Sequence, residues 1–336
     1  MMDAMTQPLG LTARRILGAA LLFASQAWAG APDTTLAVDR LLHEMPPRSK
    51  GQCRRLYRAD AVITLFGIPI FSRAGVGAGF AVYEELAEAE SRTISLQFAG
   101  GSRPDRAKGL NRLGYIQEVV VERNNKPAET AYFGFMTSSP EESLDQAKKA
   151  LESSAGMLPY TAVDGSTGPG TMRSSRARFL FPPSYSWVNN ESLIREVRTK
   201  FPVESGRPVQ ANLPAKDVPW TFLYTVAQAA AVPGGKSQWS YVYNGKQYRL
   251  RTEKTQDTKM GRKLAEKGLV ARAENVWRLA GAITGPDNGP ESTFKIWVER
   301  NGASRLPMRI ELQARSFLRL VFEYDPTLDS VPLKGD

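Results

Sequence analysis

The stretch WSYVYNGKQYRLRTE, residues 239–253, predicts a β-hairpin and, with it, the class of the fold. Its central Asn244-Gly245 pair suits the positive φ angles of a two-residue turn between antiparallel strands. Successive side chains of a strand point to opposite faces, so alternating aromatic residues gather on one side. The aromatic residues that fall on one face of each arm are Trp239, Tyr241, Tyr243 and Tyr248.

A second pattern of the same kind ends the chain. Residues 293–300, the pair Asn301-Gly302 and residues 306–313 repeat the strand–turn–strand arrangement. Alternating apolar residues between 318 and 324 then predict a last strand. Long alternating strands joined by tight turns indicate an antiparallel sheet with one covered face.

The first half carries shorter signals of the same type. Alternation predicts strands at 53–66 and 71–85, and a strand pair at 115–123 and 129–136. Serine and proline followed by early acidic residues predict a helix at 140–153. A second helix is predicted at 191–201, whereas residues 220–231 fit either a helix or a buried strand.

These patterns predict a mainly β protein with a few helices. Its core would be a curved antiparallel sheet or half-barrel, in one part or two. The predicted organisation is a signal peptide at 1–29, a tether at 30–50, a β-rich half with a terminal helix at 51–153, a Ser/Gly/Pro-rich linker or long loop at 154–175, an antiparallel half at 176–326 and a tail at 327–336.

The N-terminus predicts export. Arg14-Arg15, an apolar run at 16–24 and Ala27-Trp28-Ala29 form the pattern of a secretory signal peptide cleaved after Ala29, which implies a periplasmic protein. General secretion is favoured, with twin-arginine export as the alternative. Cys53 lies too far from the cleavage point for lipid attachment, so a soluble mature protein is expected. No later apolar run is long enough to predict a transmembrane span.

Composition narrows the chemistry. His43 is the single histidine and Cys53 the single cysteine, which disfavours histidine-based catalysis and transition-metal sites and predicts no cofactor. The net charge of +10 favours attraction to anionic surfaces such as lipid headgroups or acidic polymers, with simple solubility as the alternative. The basic residues are scattered, however, and no nucleic-acid partner is expected.

The composition still allows an enzyme that uses two carboxylates, as glycosidases do. Asp60, Glu84, Glu118 and Glu122 are candidates, but nothing in the sequence selects a pair among them. Glu118 and Glu122 fall on one face of a predicted strand whose other face is Gln117, Val119 and Val121. The expectation is that both are solvated acids on an outer sheet face.

A glycine-rich basic segment at 100–114 is a candidate anion site. Backbone N–H groups of such loops, together with guanidinium groups, suit phosphate or carboxylate. The alternative is an ordinary basic connector. The candidate side chains are Arg103, Arg106, Lys108 and Arg112.

The aromatic residues of the second half are the other candidate site. They could line an apolar face for a lipid-like ligand, although aromatic residues also dominate ordinary sheet cores. Phe294 and Trp297 point to opposite faces of one strand, so at most one joins a given surface. The candidate ligand-binding residues are Trp239, Tyr241, Tyr243, Tyr248, Trp277, Phe294 and Trp297.

Residues 294–310, with Ile296-Trp297 before a turn and Leu306-Pro307-Met308-Arg309-Ile310 after it, resemble the end of the exported bacterial domain-of-unknown-function family 3108. The resemblance covers residues 220–325. It implies a curved sheet similar to the half-barrels of periplasmic lipoprotein carriers, which hold acyl chains on the concave face. The resemblance implies no catalytic residues.

The expected function is non-enzymatic binding of a hydrophobic or amphipathic envelope molecule, a lipid or acyl chain, on a concave sheet face. Two alternatives remain open. One is a carboxylate-dependent carbohydrate-active enzyme, and the other is an interaction or scaffold protein that binds envelope proteins.

Overall fold

The computed structural model describes residues 53–65, 68–88, 90–107, 109–137, 149, 156–212, 220–286, 292–300, 305–315 and 318–328. The predicted signal peptide, tether and tail end, with His43, lie outside these ranges. So does the predicted helix at 140–153, apart from Lys149, which is helical.

Fourteen strands and three α-helices make up the described part of the chain. The strands are β1 (Cys53–Leu65), β2 (Ile68–Ala87), β3 (Ser91–Ser102), β4 (Leu113–Arg123), β5 (Lys126–Thr137), β6 (Leu158–Gly168), β7 (Thr171–Phe181), β8 (Val209–Asn212), β9 (Gly235–Tyr243), β10 (Lys246–Gln256), β11 (Val276–Thr284), β12 (Ser292–Glu299), β13 (Arg309–Arg315) and β14 (Leu318–Tyr324). The helices are α1 (Asn190–Glu204), α2 (Phe222–Ala231) and α3 (Thr258–Glu266). None of these described helices has the length and apolar composition that a membrane crossing requires.

All named strands belong to one antiparallel sheet, as the alternating patterns predict. Its order is β8-β7-β6-β5-β4-β3-β2-β1-β14-β13-β12-β11-β10-β9. The chain therefore starts in the middle, proceeds strand by strand to one edge, crosses to the opposite edge, and returns to pair β14 with β1. Strands β8 and β9 remain at the two edges, so the sheet is not closed.

The sheet is strongly curved. Tyr132 on β5 stacks on Tyr243 on β9, with ring centroids 5.2 Å apart, although many strands separate β5 from β9 along the sheet. A flat sheet could not bring these two rings together, so the inner face is the one that carries them. The barrel-like curvature follows the twist that antiparallel strands adopt.

Two helices cover parts of the outer face. Helix α1 buries Leu193, Val197 and Phe201 against strands β2 to β7, and Phe201 meets Phe133 edge-on at 5.6 Å. Burying each such side chain stabilises the fold by about 1.5–3 kcal/mol. Helix α3 covers the outer face of the second half of the sheet, where its Leu264 packs against Trp297 of β12.

The predicted turns form where two residues can supply positive φ angles. Asn244 and Gly245 have φ of 50° and 67° between β9 and β10, which confirms the hairpin prediction. Asn124 and Asn125 do the same between β4 and β5. Strands β12 and β13 pair as the second strand–turn–strand pattern predicts, with Trp297 opposite Arg309, and the predicted turn residues Asn301-Gly302 lie outside the described residues.

The prediction of a linker or long loop at 154–175 is wrong. Strand β6 and the start of β7 occupy most of it, and they pair with each other and with β5. Small residues are needed there because neighbouring rings lie on the backbone: a Cβ at Gly165 would overlap the Tyr132 ring. The small residues of this segment, although typical of loops, therefore allow neighbouring aromatic rings to pack closely against the strand backbone.

Gly281 on β11 shows the same constraint in the other half of the sheet. It pairs with Phe294 on β12, and a Cβ at this position would overlap the Phe294 ring. We expect Gly281→Ala to lower the free energy of unfolding by roughly 1–3 kcal/mol, because the ring would be displaced from a packed core. Urea unfolding followed by tryptophan fluorescence measures the change.

The matched control is Gly285→Ala. A Cβ at Gly285 would lie in open space, so this variant should stay within about 0.5 kcal/mol of the parent chain. Equal losses in the two variants would contradict the overlap at Gly281.

Candidate functional site

Most of the aromatic residues singled out from the sequence meet on the inner face. The strand registers align Tyr248 with Tyr241, and their rings stack at 5.3 Å. The inner cluster that contains both rings also includes Trp239, Tyr243, Trp277 and Phe294. The structure therefore brings together six of the seven residues predicted to bind a hydrophobic ligand.

Trp297 is the exception. Its indole lies on the outer face, where Nε1 donates a hydrogen bond to Asp257 Oδ2 at 2.9 Å. It packs with Leu264 of α3 and with Met308. Trp297 therefore holds α3 on the sheet and cannot share a surface with Phe294.

Helix α2, which the sequence left undecided between helix and strand, lies across the inner aromatic face. Phe222 packs against Tyr241 at 5.3 Å and against Phe294 at 6.1 Å. Just before the helix, Trp220 packs against Trp239 at 5.3 Å. Much of the predicted ligand face is thus covered by the chain's own helix.

Charged side chains from opposite halves of the sheet hold the two ends of α2. Glu118 on β4 accepts hydrogen bonds from the N–H groups of Leu223 and Tyr224, at 2.8 and 2.9 Å. Lys254 on β10 donates to the carbonyl oxygens of Ala230 and Val232. A carboxylate at the N-terminus and an ammonium at the C-terminus both complement the helix dipole.

Burial sets the protonation of Glu118. The side chain is fully buried, and loss of solvation raises its pKa from 4.5 to about 7, although the hydrogen bonds from α2 oppose this shift. The anchor of α2 thus exchanges its proton near neutral pH.

Glu122 lies one step along the same face and also serves α2. It accepts hydrogen bonds from the Tyr224 hydroxyl and from Arg92 Nε, the latter at 2.9 Å. Arg92 reaches Glu85 as well, at 3.3 Å. The hydrogen bond from the Tyr83 hydroxyl, helped by Arg305 and Arg92, holds the pKa of Glu85 below its usual range.

The prediction that Glu118 and Glu122 are solvated acids on an outer face is therefore wrong. They are 0% and 2% exposed and lie on the inner face. The other two candidate carboxylates lie on the opposite face, where Asp60 accepts the Gly75 N–H at 2.7 Å and Glu84 is buried in line with Phe80 and Val82. The four carboxylates are split between two faces, and the inner two support a helix.

The basic loop does not form an open anion cradle in its described part. Arg103 and Arg106 both face Asp105, at 3.1 and 3.9 Å. The backbone N–H groups of residues 103, 106, 107 and 109 donate to carbonyl oxygens of the loop or of Val76. Arg112 donates to the Asn111 carbonyl at 3.0 Å, and Lys108 lies outside the described residues.

An apolar surface that the sequence did not reveal lies beside α2. The helix carries no charged residue, and one side of it is apolar and only half-buried. Half-buried apolar residues of the sheet belong to the same cluster. We call this surface the inner apolar strip; it consists of Phe222, Leu223, Val226, Ala227 and Ala230 of α2, with Phe98, Ile283, Leu312 and Leu320 of the sheet.

The anchor of α2 predicts how stability depends on pH. Because the pKa of Glu118 is higher in the folded chain than its ordinary 4.5, its stabilising effect is complete below pH 4.5 and is lost as the pH rises to about 7. Glu118→Gln, which mimics the protonated acid, should remove this dependence. The free energy of unfolding, measured with urea from pH 4.5 to 8, should fall in the parent chain by on the order of 2–3 kcal/mol more than in the variant.

Glu253→Gln is the control, since Glu253 is an exposed carboxylate on β10. Its pH profile should follow that of the parent chain. A Glu118→Gln profile that also follows the parent chain would show that Glu118 does not titrate in this range.

No family model and no curated protein matches this chain. Among solved structures, it is similar to a β-barrel-like protein of domain of unknown function DUF1849 from Brucella abortus. The two chains are 11% identical, the alignment covers 81% of this chain and 95% of the other, and the TM-score is 0.40. At these values the similarity carries no conclusion about family or function. The resemblance to family 3108 stays a prediction.

Proposed function

We propose that the protein is an exported, periplasmic, non-enzymatic binder of a hydrophobic or amphipathic envelope molecule, held along the inner apolar strip. The observation that carries this proposal is the half-buried apolar side of α2 inside a concave sheet. Apolar side chains left half-buried on the concave face of a sheet are typical of a site for an apolar ligand.

The strip offers an acyl chain a surface without charged groups. Leu312 and Leu320 pair across β13 and β14, and Ala227 lies on the half-buried side of α2. Each methylene group that a ligand buries there contributes about 0.8 kcal/mol. A chain of ordinary fatty-acid length would therefore gain enough to offset the entropy lost on binding.

This proposal moves the site away from the residues that the sequence singled out. Tyr241, Tyr248 and Phe294 are buried and support α2. They would therefore hold the helix in position without contacting the ligand themselves. The ligand would instead contact α2 and the Leu312–Leu320 pair of β13 and β14. The charged anchors Glu118 and Lys254 keep α2 in place, and binding requires no unfolding of the helix.

The alternative of a carboxylate-dependent enzyme has less support. Both inner carboxylates, Glu118 and Glu122, are hydrogen-bonded to α2, and the two on the outer face do not accompany them. Binding without catalysis uses the observed strip and needs no reactive pair. The resemblance to family 3108 and its likeness to lipoprotein carriers favour the same class of ligand.

A fluorescent fatty acid provides the test. We expect saturable binding by the full chain, and at least a tenfold loss of affinity in Leu320→Lys, because an unpaired ammonium group would enter an apolar surface. Ala227→Trp should weaken binding by filling the strip without adding charge. Val188→Lys is the control, since Val188 is 80% exposed on the outer side and should leave affinity unchanged.

Circular dichroism would verify that each variant is folded. Two outcomes would refute the proposal: absence of saturable binding by the folded parent chain, or equal affinities in the parent chain, Leu320→Lys and Ala227→Trp.

A further inference from the structure

A groove on the other side of the molecule lies where α1 meets the edge of β7. Its volume is about 460 Å³. Residues of both elements line it: Arg178, Phe179, Leu180 and Phe181 from β7, and Thr199, Lys200, Val203 and Glu204 from α1. The inner apolar strip contributes none of these residues.

The edge of β7 in this groove has main-chain groups that no described strand pairs with. Strand β8 covers only residues 171–174 of β7. The Arg176 carbonyl then accepts the Gly206 N–H at 3.4 Å, which shows that this residue directs its main chain outward. Alternate residues of a strand point to the same edge, so Arg178 and Leu180 also direct N–H and C=O groups into the groove.

The side chains around this edge suit an extended apolar segment. Leu180 is 61% exposed and Val203 is 84% exposed, which is unusual for residues of their type. Phe179 and Phe181 form a buried floor. A groove between a strand edge and a helix is the geometry in which proteins bind peptides by strand addition.

Charge selects the kind of segment. Lys200 lies over the Phe181 ring and pairs with Glu196, whereas Arg178 is exposed and makes no ion pair with any described residue. Glu204 also lines the groove, so the lining carries two basic groups and one acidic group. Lys200 lies on the Phe181 side of the edge, whereas the Arg178 side chain points to the other face, so aspartate or glutamate on that face of the added strand would find a partner in Arg178.

We propose that the β7 edge binds an extended peptide segment with alternating apolar and acidic residues, which adds to the sheet as a further antiparallel or parallel strand. The main chain of the segment would pair with Arg178 and Leu180. Its acidic side chains, all on one face of the added strand, would face Arg178, and its apolar side chains, on the other face, would lie against Val203 of α1.

A second copy of the chain fits this edge less well. Two β7 edges pairing antiparallel about Ala177 would place Arg176 of each copy opposite Arg178 of the other. Like charges directly opposite each other destabilise a strand pair. An acidic segment replaces this repulsion with attraction.

The test uses the full chain and a fluorescein-labelled peptide with the sequence Thr-Val-Asp-Val-Asp-Val-Thr, blocked at both ends. Fluorescence anisotropy should show saturable binding. The same peptide with lysine in place of aspartate should bind at least fivefold more weakly. A version with N-methylated amides on alternate residues should bind at least tenfold more weakly, because it cannot complete the ladder.

Two substitutions at one position separate the main chain from the side chain. Leu180→Ala keeps the outward N–H group and should weaken binding only modestly. Leu180→Pro removes that donor and should weaken binding at least tenfold more than Leu180→Ala. If the proline variant fails to fold by circular dichroism, Val203→Trp fills the groove from an exposed position, with Val188→Trp as its control.

Each of the following results would overturn the proposal: no saturable binding of the acidic peptide, equal binding of the acidic and lysine peptides, or equal binding by folded Leu180→Pro and Leu180→Ala. Sedimentation that shows a dimer of the parent chain, disrupted by Leu180→Pro, would assign the edge to a second copy and also overturn it. Because the strip residues are not involved, fatty-acid binding should be unchanged in all these variants.

Discussion

The fold depends on one helix held at both ends by hydrogen bonds to side chains from opposite halves of a single sheet. Helix α2 receives the Glu118 carboxylate at its N-terminus and the Lys254 ammonium at its C-terminus. β4 and β10 are far apart in the strand order, so the helix fixes their separation across the concave face. An open sheet of this length would otherwise leave a large apolar surface in water, at a cost of about 25 cal/mol per Å².

The anchored position of helix α2 determines what the inner face can do. The aromatic rings that could line a ligand cavity instead pack against Phe222 and Trp220. The carboxylates that could have formed a reactive pair are used to anchor backbone N–H groups and a tyrosine hydroxyl. Only the side of α2 that its anchors do not use is left half-buried, and that side is apolar. A binding role is therefore compatible with the hydrogen bonds that anchor α2. A pair of catalytic carboxylates would have to give up those same hydrogen bonds.

The sequence predicts what is local and misses what depends on distant partners. Asn244-Gly245 determines its own turn, and the spacing of Phe294 and Trp297 places them on opposite faces whatever surrounds them. The burial of Glu118 cannot be inferred locally, because its partners at Leu223 and Tyr224 lie about a hundred residues later in the chain. The glycine and serine residues at 154–175 suggest a loop for the same reason, since the Tyr132 ring that requires Gly165 belongs to another strand.

The two edges of the open sheet differ in how they are protected. At β9, Trp220 forms a parallel bridge with Tyr241, its main chain bonds Val242 at 2.7 Å, and the Asn244-Gly245 turn reaches Ser174 on β7. At the other edge, β8 is four residues long and leaves the end of β7 uncovered. Natural sheets usually protect such edges with charges, bulges or covering segments, because exposed edges promote aggregation. Here the half-buried Arg176 and the exposed Arg178 provide the charge, which discourages pairing between identical copies while leaving the edge open to a segment of opposite charge. The same two arginines can thus prevent self-association and select a partner.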